Sequence, residues 1–497
     1  MTRVSLSFTK ISRLARGAAA CTVLSATTMT LSAQGPPVVT LSQAVNEALV
    51  RNERIINQHD TTEQASLGVR LARNAFQPKV VPNILGSFGQ TDINSQNYRV
   101  DVTQKFVTGT ELRTSVGTST AQIPPLPGNP PGDLHFYNAD TTLTLSQPLM
   151  RGFGPAIARR SLTSAELRRA DADRQHALTE QQVAVEVASA YYRVVAQQAF
   201  VDVAKKSVDR AAKLRDASEA KLVAGLVSQL DVLRARQLVS QAEIQLFEAE
   251  SAAEDARDQL AFLMGRESDD RFDVESGIPA PETTVDVENA VTVALANRLD
   301  LKSVRASGAD ADRQVSFARN QLLPQFDVNF ALTRRETADS FARSFGVDRF
   351  QFATFFTIAM PVDRTPQLVE YQNAIIDRDR RKRDAATLER RISDDVKRAV
   401  RERERLLRTL KAAEISVDIG GKEVEIAQLR YERGLSNNLD VVTAEGNLLS
   451  AESRRISALA DAAVSRLSLR ALLGILDVRK DIAAGASTPP ADLTAAR

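Results

Sequence analysis

The chain has 497 residues, a formal net charge of +2, and a single cysteine, Cys21. The first 33 residues hold four basic residues and no acidic ones, so without them the formal charge falls to −2. A charge this close to zero gives no electrostatic reason to expect a nucleic-acid partner, and the chain beyond residue 33 has no cysteine for disulfides.

Residues 1–33 have the layout of a secretory signal peptide. A basic segment precedes a charge-free stretch at 17–31, which is rich in small and apolar residues. We expect cleavage after Ala33. Leu31, the third residue before the cleaved bond, is larger than the small residue preferred there. Lipidation of Cys21 is the alternative. No run of about 18 apolar residues follows, so no membrane-spanning helix is predicted. An exported chain of this kind is periplasmic, secreted, or inserted in an outer membrane through β-strands.

The rest of the chain contains one unit twice. The first unit spans 41–265 and the second 285–474, with a linker at 266–284 and a flexible tail at 475–497. "LSQAVNEALVRN" is matched 246 residues later by "VENAVTVALANR", and "LVAGLVSQLDVLRA" 209 residues later by "YERGLSNNLDVVTA". The smaller second spacing indicates an insertion in the first unit between Pro78 and Pro148.

Both units have the same predicted order of helix, strands, long helix and helix. The predicted elements are helix 41–75, strands within about 79–148, long helix 155–224 and helix 229–264, then helix 287–322, strands within about 325–360, long helix 366–433 and helix 438–473. Pro155 and Pro366 open the long helices, at a turn where a missing N–H costs little. Apolar and small residues at alternating spacings of three and four along 392–431 predict coiled-coil packing.

The segments predicted as strands alternate apolar and polar residues. "FDVNFAL" (326–332) and "FQFATFFTIAM" (350–360) each present an apolar stripe. Two strands per unit give about four per chain. A further hairpin, formed by 98–106 and about 110–118, is an alternative that would add to this count. Four strands cannot close a barrel, and an open sheet edge cannot face lipid, so the chain is expected to oligomerise. The proline-rich segment 123–133 predicts a surface loop.

The order of these motifs resembles the TolC family of outer-membrane efflux channels. The resemblance covers about Leu41–Gly474 and rests on the paired opening helices, on "ARNAFQP" and "ARNQLLP", on "SQPLMRGFGP" and "MPVDRTP", and on the paired Gly-Leu turns. It implies an α+β, mainly α fold: a homotrimer whose 12-stranded outer-membrane β-barrel, about four strands per chain, continues into a long periplasmic α-helical barrel of coiled-coil hairpins.

The resemblance also implies a function. It identifies the chain as the exit duct of a tripartite efflux pump or type I secretion system, passive and gated at its periplasmic tip. Its implied partners are outer-membrane lipid, a periplasmic adaptor protein, and an inner-membrane transporter of the RND or ABC type. The alternatives are a periplasmic adaptor or a coiled-coil scaffold without a pore, neither of which explains a block of strands in each unit.

The two Gly-Leu turns are the expected docking tips. Gly225 and Gly434 permit a tight reversal of the chain, and Leu226 and Leu435 present apolar contacts to an adaptor. A ring of such tips in a trimer would open or close the periplasmic end of the duct.

Three residues near the tips are candidates for the gate. By the resemblance, Asp440 lies where a carboxylate faces the pore, so three copies would form an acidic ring able to bind a blocking divalent ion. Asp231 and Tyr431 match a pair whose hydrogen bond holds the closed state. The alternative from the residues themselves is that both aspartates cap the helices that follow the turns.

Catalysis has little support in the sequence. The histidines, His59, His135 and His176, have no metal-ligand or catalytic-triad spacing, and phosphate-binding glycine loops are absent. We therefore expect no enzyme activity, no cofactor and no resident metal. Basic segments such as "RDRRKRD" interleave acids at helical spacing, which is typical of a solvated helix face rather than a nucleic-acid site.

Overall fold

The structure is a computed structural model that describes residues 37–87, 94–123, 134–267, 270–278, 286–344 and 350–482. The predicted signal peptide with Cys21, residues 124–133 of the proline-rich segment, and the tail beyond residue 482 lie outside the described residues. Among the described residues, no helix combines the length and the apolar character needed to cross a membrane.

The first unit consists of long helices on either side of a block of strands. Its elements are β1 (Val38–Val39), α1 (Leu41–Arg51), α2 (Glu53–Asn74), β2 (Lys79–Ser87), β3 (Asn94–Lys105), β4 (Glu111–Ile123), β5 (Leu134–Pro148), α3 (Pro155–Ala158), α4 (Arg160–Val223) and α5 (Gln229–Met264). A short strand in the linker, β6 (Asp273–Val274), pairs with β1 in parallel.

The second unit repeats this order with fewer strands. Its elements are α6 (Val287–Asn297), α7 (Leu299–Gln321), β7 (Gln325–Ala338), α8 (Phe341–Ser344), β8 (Gln351–Ala359), α9 (Thr365–Glu432) and α10 (Asn438–Leu472), followed by a π-helical turn at Val478–Ile482. The longest helix, α9, has 68 residues, which at 1.5 Å per residue gives roughly 100 Å.

Each unit's opening helix is broken once, which corrects the single helices predicted at 41–75 and 287–322. α1 and α2 separate at Asn52, and α6 and α7 separate at Arg298, where ψ is 125° and 124°. The side-chain amide nitrogen of Asn52 donates a hydrogen bond to the Leu263 carbonyl oxygen at 2.9 Å. The Asn52 side-chain oxygen also accepts a hydrogen bond from the Arg54 N–H at 3.0 Å and so caps α2. A local cap and a contact with a distant segment therefore coincide at this break.

Two glycines complete these breaks. Gly265 follows α5 and Gly474 follows α10, with φ of 72° and 70°, in the left-handed region that favours glycine at a helix end. A Cβ at Gly265 would lie 2.9 Å from the Arg51 carbonyl oxygen, and a Cβ at Gly474 would lie 2.9 Å from the Arg298 nitrogen. Both sites therefore join the end of one helix to the break in another.

Six of the described strands form one sheet, separate from the β1–β6 pair, which corrects the expectation of about four barrel strands per chain. The order is β2-β3-β4-β5-β7-β8, and every neighbouring pair is antiparallel. The hairpin left open in the sequence is present as β3 and β4.

The helices form two antiparallel hairpins that pack against each other. α4 packs against α5 and α9 against α10, while α2 lies along α4, α7 along α9, and α10 also contacts α4. The seam predicted along 392–431 is buried on α9, with Ala399 and Val417 partly buried at its margin. The hairpins end together at the turns that follow α4 and α9.

Candidate functional site

The two tip turns have the same local structure. α4 and α9 each end in a glycine, Gly225 and Gly434, whose φ is 71°. The N–H of Leu226 donates to the Lys221 carbonyl oxygen at 2.9 Å, and the N–H of Leu435 repeats this bond at 2.8 Å one unit later. These six-to-one bonds are the Schellman ending of a helix, which requires the left-handed residue that glycine supplies.

The tips present apolar side chains to solvent. Leu226 is 74% exposed and Leu435 is 66% exposed. Further exposed apolar side chains at the tips are Val223, Leu230, Leu233 and Leu439. The structure thus places both predicted docking leucines on the outer surface of the tips, where a contiguous apolar surface is typical of an interaction site.

Asp231 and Tyr431 do not bond to each other, which corrects the predicted pair. Asp231 belongs to a capping box at the start of α5, in which the Ser228 hydroxyl donates to its carboxylate at 2.7 Å and the Ser228 N–H donates at 3.1 Å. The capping alternative therefore describes the Asp231 side chain. The backbone carbonyl oxygen of Asp231 accepts a hydrogen bond from the side-chain amide of Asn438, which is fully buried at the start of α10.

Tyr431 instead joins α9 to α4. Its side chain is only 3% exposed, and its hydroxyl lies 2.8 Å from the Ser218 hydroxyl. The Lys221 ammonium donates to the Tyr431 carbonyl oxygen and lies 3.9 Å from the centre of its ring. Tyr431 is thus held by α4 of the other hairpin through a hydroxyl pair, a charged donor and a cation–π contact.

Removing one hydroxyl of this pair is expected to weaken the contact between the hairpins. Tyr431→Phe or Ser218→Ala should each cost about 1–2 kcal/mol, because the remaining buried hydroxyl loses its partner. The double variant should cost little more than either single variant, since both polar groups are then gone. Thermal unfolding of the three variants measures this; fully additive losses would show that the hydroxyls do not interact.

A buried ion pair that was not predicted from the sequence also joins the hairpins. Arg210 on α4 donates through Nε to the carboxylate of Glu445 on α10 at 2.6 Å, and Glu445 is 5% exposed. Gln428 on α9 donates to the same carboxylate at 3.2 Å. Burial raises the pKa of the Glu445 carboxyl, although Arg210 opposes the shift. A sequence signal existed: Glu445 interrupts the buried stripe formed by Val441, Ala444 and Leu448.

Breaking this ion pair should destabilise the tips in a pH-dependent way. Arg210→Met leaves the Glu445 carboxylate buried without its cation and should cost about 3 kcal/mol near neutral pH. Because the pKa of Glu445 is raised, the stability contributed by its neutral form is full below pH 4.5 and is lost as pH rises through the shifted value. The cost of Arg210→Met, measured by thermal unfolding, should therefore shrink on acidification, whereas that of Glu445→Gln should not.

Asp440 lies apart from these contacts. It is exposed in the first turn of α10, where its N–H donates to the Asn437 side-chain oxygen at 3.4 Å. Asn437, rather than Asp440, supplies the cap of α10. Within the described residues the Asp440 carboxylate has no ion-pair partner.

The described residues contain one group of side chains close enough to share a metal ion, which corrects the statement that His59 has no metal-ligand spacing. Ligand atoms of His59, Asp60 and Glu63, all exposed on α2, lie within 4.8 Å of one another. The His59 ring also contacts the ring of His176 on α4, with centroids 6.3 Å apart. The two histidines are distant in the chain, so no local pattern indicates that their rings meet.

Comparison with known proteins decides the family. The family model described as "Outer membrane efflux protein" matches residues 44–266 and 290–475, one segment in each unit. The chain belongs to the outer membrane efflux protein family. Membership confirms the predicted resemblance to a family of outer-membrane efflux proteins, and the adaptor and scaffold alternatives receive no support.

One curated relative is the cobalt-zinc-cadmium resistance protein CzcC of Cupriavidus metallidurans. It is 28% identical to this outer membrane efflux protein over 167 residues, which make up 32% of the present chain. The match spans 37% of the length of CzcC, little more than a third of that relative.

Two solved channels have the same fold. The CmeC outer membrane channel of Campylobacter jejuni superposes with a TM-score of 0.66 and 16% identity, covering 89% of this chain and 88% of CmeC. The MtrE outer membrane channel of Neisseria gonorrhoeae gives 0.65 and 18%, covering 88% and 89%. At such identities the likeness concerns the fold, and it supports the α+β, mainly α architecture of a helical tunnel joined to a sheet.

Proposed function

We propose that this outer membrane efflux protein is the passive exit duct of a tripartite efflux pump or type I secretion system. Three chains would assemble around a pore, with the sheet in the outer membrane and the helical hairpins extending about 100 Å into the periplasm. The observation that carries this proposal is the pair of matched tips, which end the two hairpins side by side and expose Leu226 and Leu435.

The tips have two roles in this proposal. Their exposed leucines dock a periplasmic adaptor, through which an inner-membrane transporter of the RND or ABC type supplies the energy. The contacts of Tyr431 with Ser218 and of Arg210 with Glu445 hold the two hairpins of one subunit together. Separation of the hairpins at these contacts opens the duct.

Asp440 supplies ion selectivity at the closed tip. Three unpaired carboxylates around a threefold axis form an acidic ring that favours cations and binds a divalent ion. A divalent ion bound in the ring would block the pore. The resting conductance is therefore expected to be small and cation-selective.

Asp440→Asn is expected to relieve block by divalent ions. In planar bilayers, the half-blocking concentration of Mg²⁺ should rise at least about tenfold, a change of 1.4 kcal/mol, because three charges leave the ring at once. Asp209→Asn is the matched control, since Asp209 is an exposed acid of α4 that already pairs with Lys213 at 2.7 Å.

The outcomes separate the parts of the proposal. If Mg²⁺ blocks wild type and Asp440→Asn equally, Asp440 does not form the acidic ring, whereas the proposed duct is not contradicted. A correctly folded trimer without any current would contradict the duct itself.

A further inference from the structure

We propose that the outer-membrane barrel has 18 strands rather than 12 and therefore encloses a wide, polar exit lumen. The inference rests on the proposed trimer, in which three chains each contribute the six-stranded sheet. The decisive question is whether the β3–β4 hairpin crosses the membrane with the other four strands.

The strand order allows such a barrel to close. β2 and β8 are the edges of the sheet within one chain. β2 leaves the helical end after α2, and β8 returns to it before α9, so these edges run in opposite directions. β8 of one subunit can therefore pair in antiparallel fashion with β2 of the next, and no edge remains open to lipid.

The β3–β4 hairpin has its turn at the helical end of the sheet. A Cβ at Gly109 in this turn would lie 2.9 Å from the Gly152 carbonyl oxygen, in the segment that leads from β5 to α3. The Thr110 hydroxyl donates to the side-chain oxygen of Gln147 near the end of β5. β3 and β4 have 12 and 13 residues, enough for strands that need about 9–11 to cross a bilayer. They therefore extend over the same thickness as β5.

One row of cross-strand partners is apolar through the whole sheet. Its members, one from each strand, are Val80, Val102, Thr114, Leu143, Leu332 and Phe352. Threonine is the single polar member. The apolar face thus continues from β7 and β8 through the additional hairpin to β2, as expected where every strand faces lipid on one side.

The next row, on the opposite face, is polar. Its members are Val81, Asp101, Ser115, Thr142, Thr333 and Gln351. Valine at the edge is the single apolar member. Alternation between lipid and water is therefore in register across all six strands, which a hairpin folded outside the membrane would not need.

The polar face also carries charge on the additional hairpin. Arg99 on β3 reaches Asp140 on β5 at 3.4 Å, and both are register partners of Gly117, which lies between them on β4. A side chain at Gly117 would meet Arg99 Nε at 3.3 Å, so the glycine leaves room for the arginine to cross the strand. Asn83 on β2 donates to Asp101 on β3 at 2.8 Å. A face of charges and amides is typical of a water-filled lumen.

Strand number sets the width of the lumen. Barrel diameter grows roughly linearly with the number of strands, and barrels of 16–18 strands leave an aqueous channel. Eighteen strands give a lumen about half again as wide as 12 strands would. The barrel then admits bulky solutes, and the helical tip is the narrow point that limits the cargo.

Spin labels in the two rows can test this assignment. Cys21 is the only cysteine, so Asp101→Cys, Val102→Cys, Leu332→Cys and Thr333→Cys can each be labelled singly in a Cys21→Ser background. In trimers reconstituted into nanodiscs, labels at 102 and 332 should collide mainly with oxygen dissolved in lipid. Labels at 101 and 333 should collide mainly with a water-soluble nickel chelate. The ratio of the oxygen to the nickel collision rate should therefore be high at 102 and 332 and low at 101 and 333.

The pair on β7 distinguishes failure of this inference from failure of the proposed function. If 332 and 333 show the reversal but 101 and 102 are both water-accessible, the β3–β4 hairpin lies outside the bilayer and the 18-stranded barrel is overturned. If 332 and 333 also lack the reversal, the sheet does not line an outer-membrane duct. Reversal at both pairs supports 18 strands.

Discussion

Replacing Leu226 and Leu435 together with glutamate is expected to reduce efflux to the level of cells that lack the protein, while the trimer stays intact. Both side chains are largely exposed, so the charge costs little in the free protein. Docking would bury each carboxylate against the adaptor without an ionic partner, which would cost several kcal/mol of binding free energy. The substitutions also remove two apolar anchors, and such anchors contribute much of the affinity of an interface.

Growth in the presence of toxic compounds measures this effect. The panel should include cobalt, zinc and cadmium salts, because the CzcC relative is a resistance protein for these metals, together with hydrophobic drugs. Leu226→Met with Leu435→Met is the matched control, since it keeps the apolar surface and should retain efflux. Full resistance with the glutamate pair in correctly assembled trimers would contradict docking at the tips.

Gly474→Ala is expected to prevent accumulation of folded trimer. The added Cβ would lie 2.9–3.1 Å from three backbone atoms of Asn297 and Arg298, and alanine at a φ of 70° adds about 1–2 kcal/mol of strain. Because the obstacle is backbone rather than a flexible side chain, the helix end and the α6–α7 break must separate. We expect a total loss of at least about 4 kcal/mol, which is exceptional for a single substitution.

Gly434→Ala provides the control for backbone strain alone. Its φ is 71°, but an added Cβ would meet no atom within 4 Å. It should cost only about 1–2 kcal/mol, and the trimer should form. Trimer yield from outer membranes and the unfolding temperature compare the two variants; equal behaviour would show that the close contact at Gly474 is readily relieved.

The duplicated architecture could be predicted from the sequence because its signals are local. Pro155 and Pro366 mark helix starts, and Gly225 and Gly434 mark helix ends, so each predicts a structure without knowledge of distant neighbours. The repetition of these signals in the same order indicates two hairpins of similar length.

The strand count was less predictable because β3 and β4 are weakly apolar. Thr114 lies in the row that Val102 and Leu143 occupy on the neighbouring strands. Thr118, on the same face, is also polar, so the alternation in "ELRTSVGTSTA" is faint. The break at Asn52 was missed for a different reason. Asn52 is a helix-capping residue, but asparagine alone does not predict a break, and the contact that accompanies it, with Leu263, lies more than 200 residues away in the chain.

The contacts of the gate depend on how the helices align. The resemblance placed Tyr431 at a contact between hairpins, but which α4 side chain it meets is set by the packing of α4 against α9. That packing brings Ser218 to Tyr431 and leaves Asp231 to cap α5. The Arg210–Glu445 pair spans 235 residues and could be suspected only from the acid within a buried stripe.

Single-channel recording of the purified mature trimer in planar bilayers tests the central claim most directly, with wild type compared to a variant carrying Tyr431→Phe and Arg210→Met. We predict a small, cation-selective current for wild type and long openings of much larger conductance for the variant, because both contacts between the hairpins are weakened. An intact variant trimer that conducts no better than wild type would contradict a gate held by these contacts.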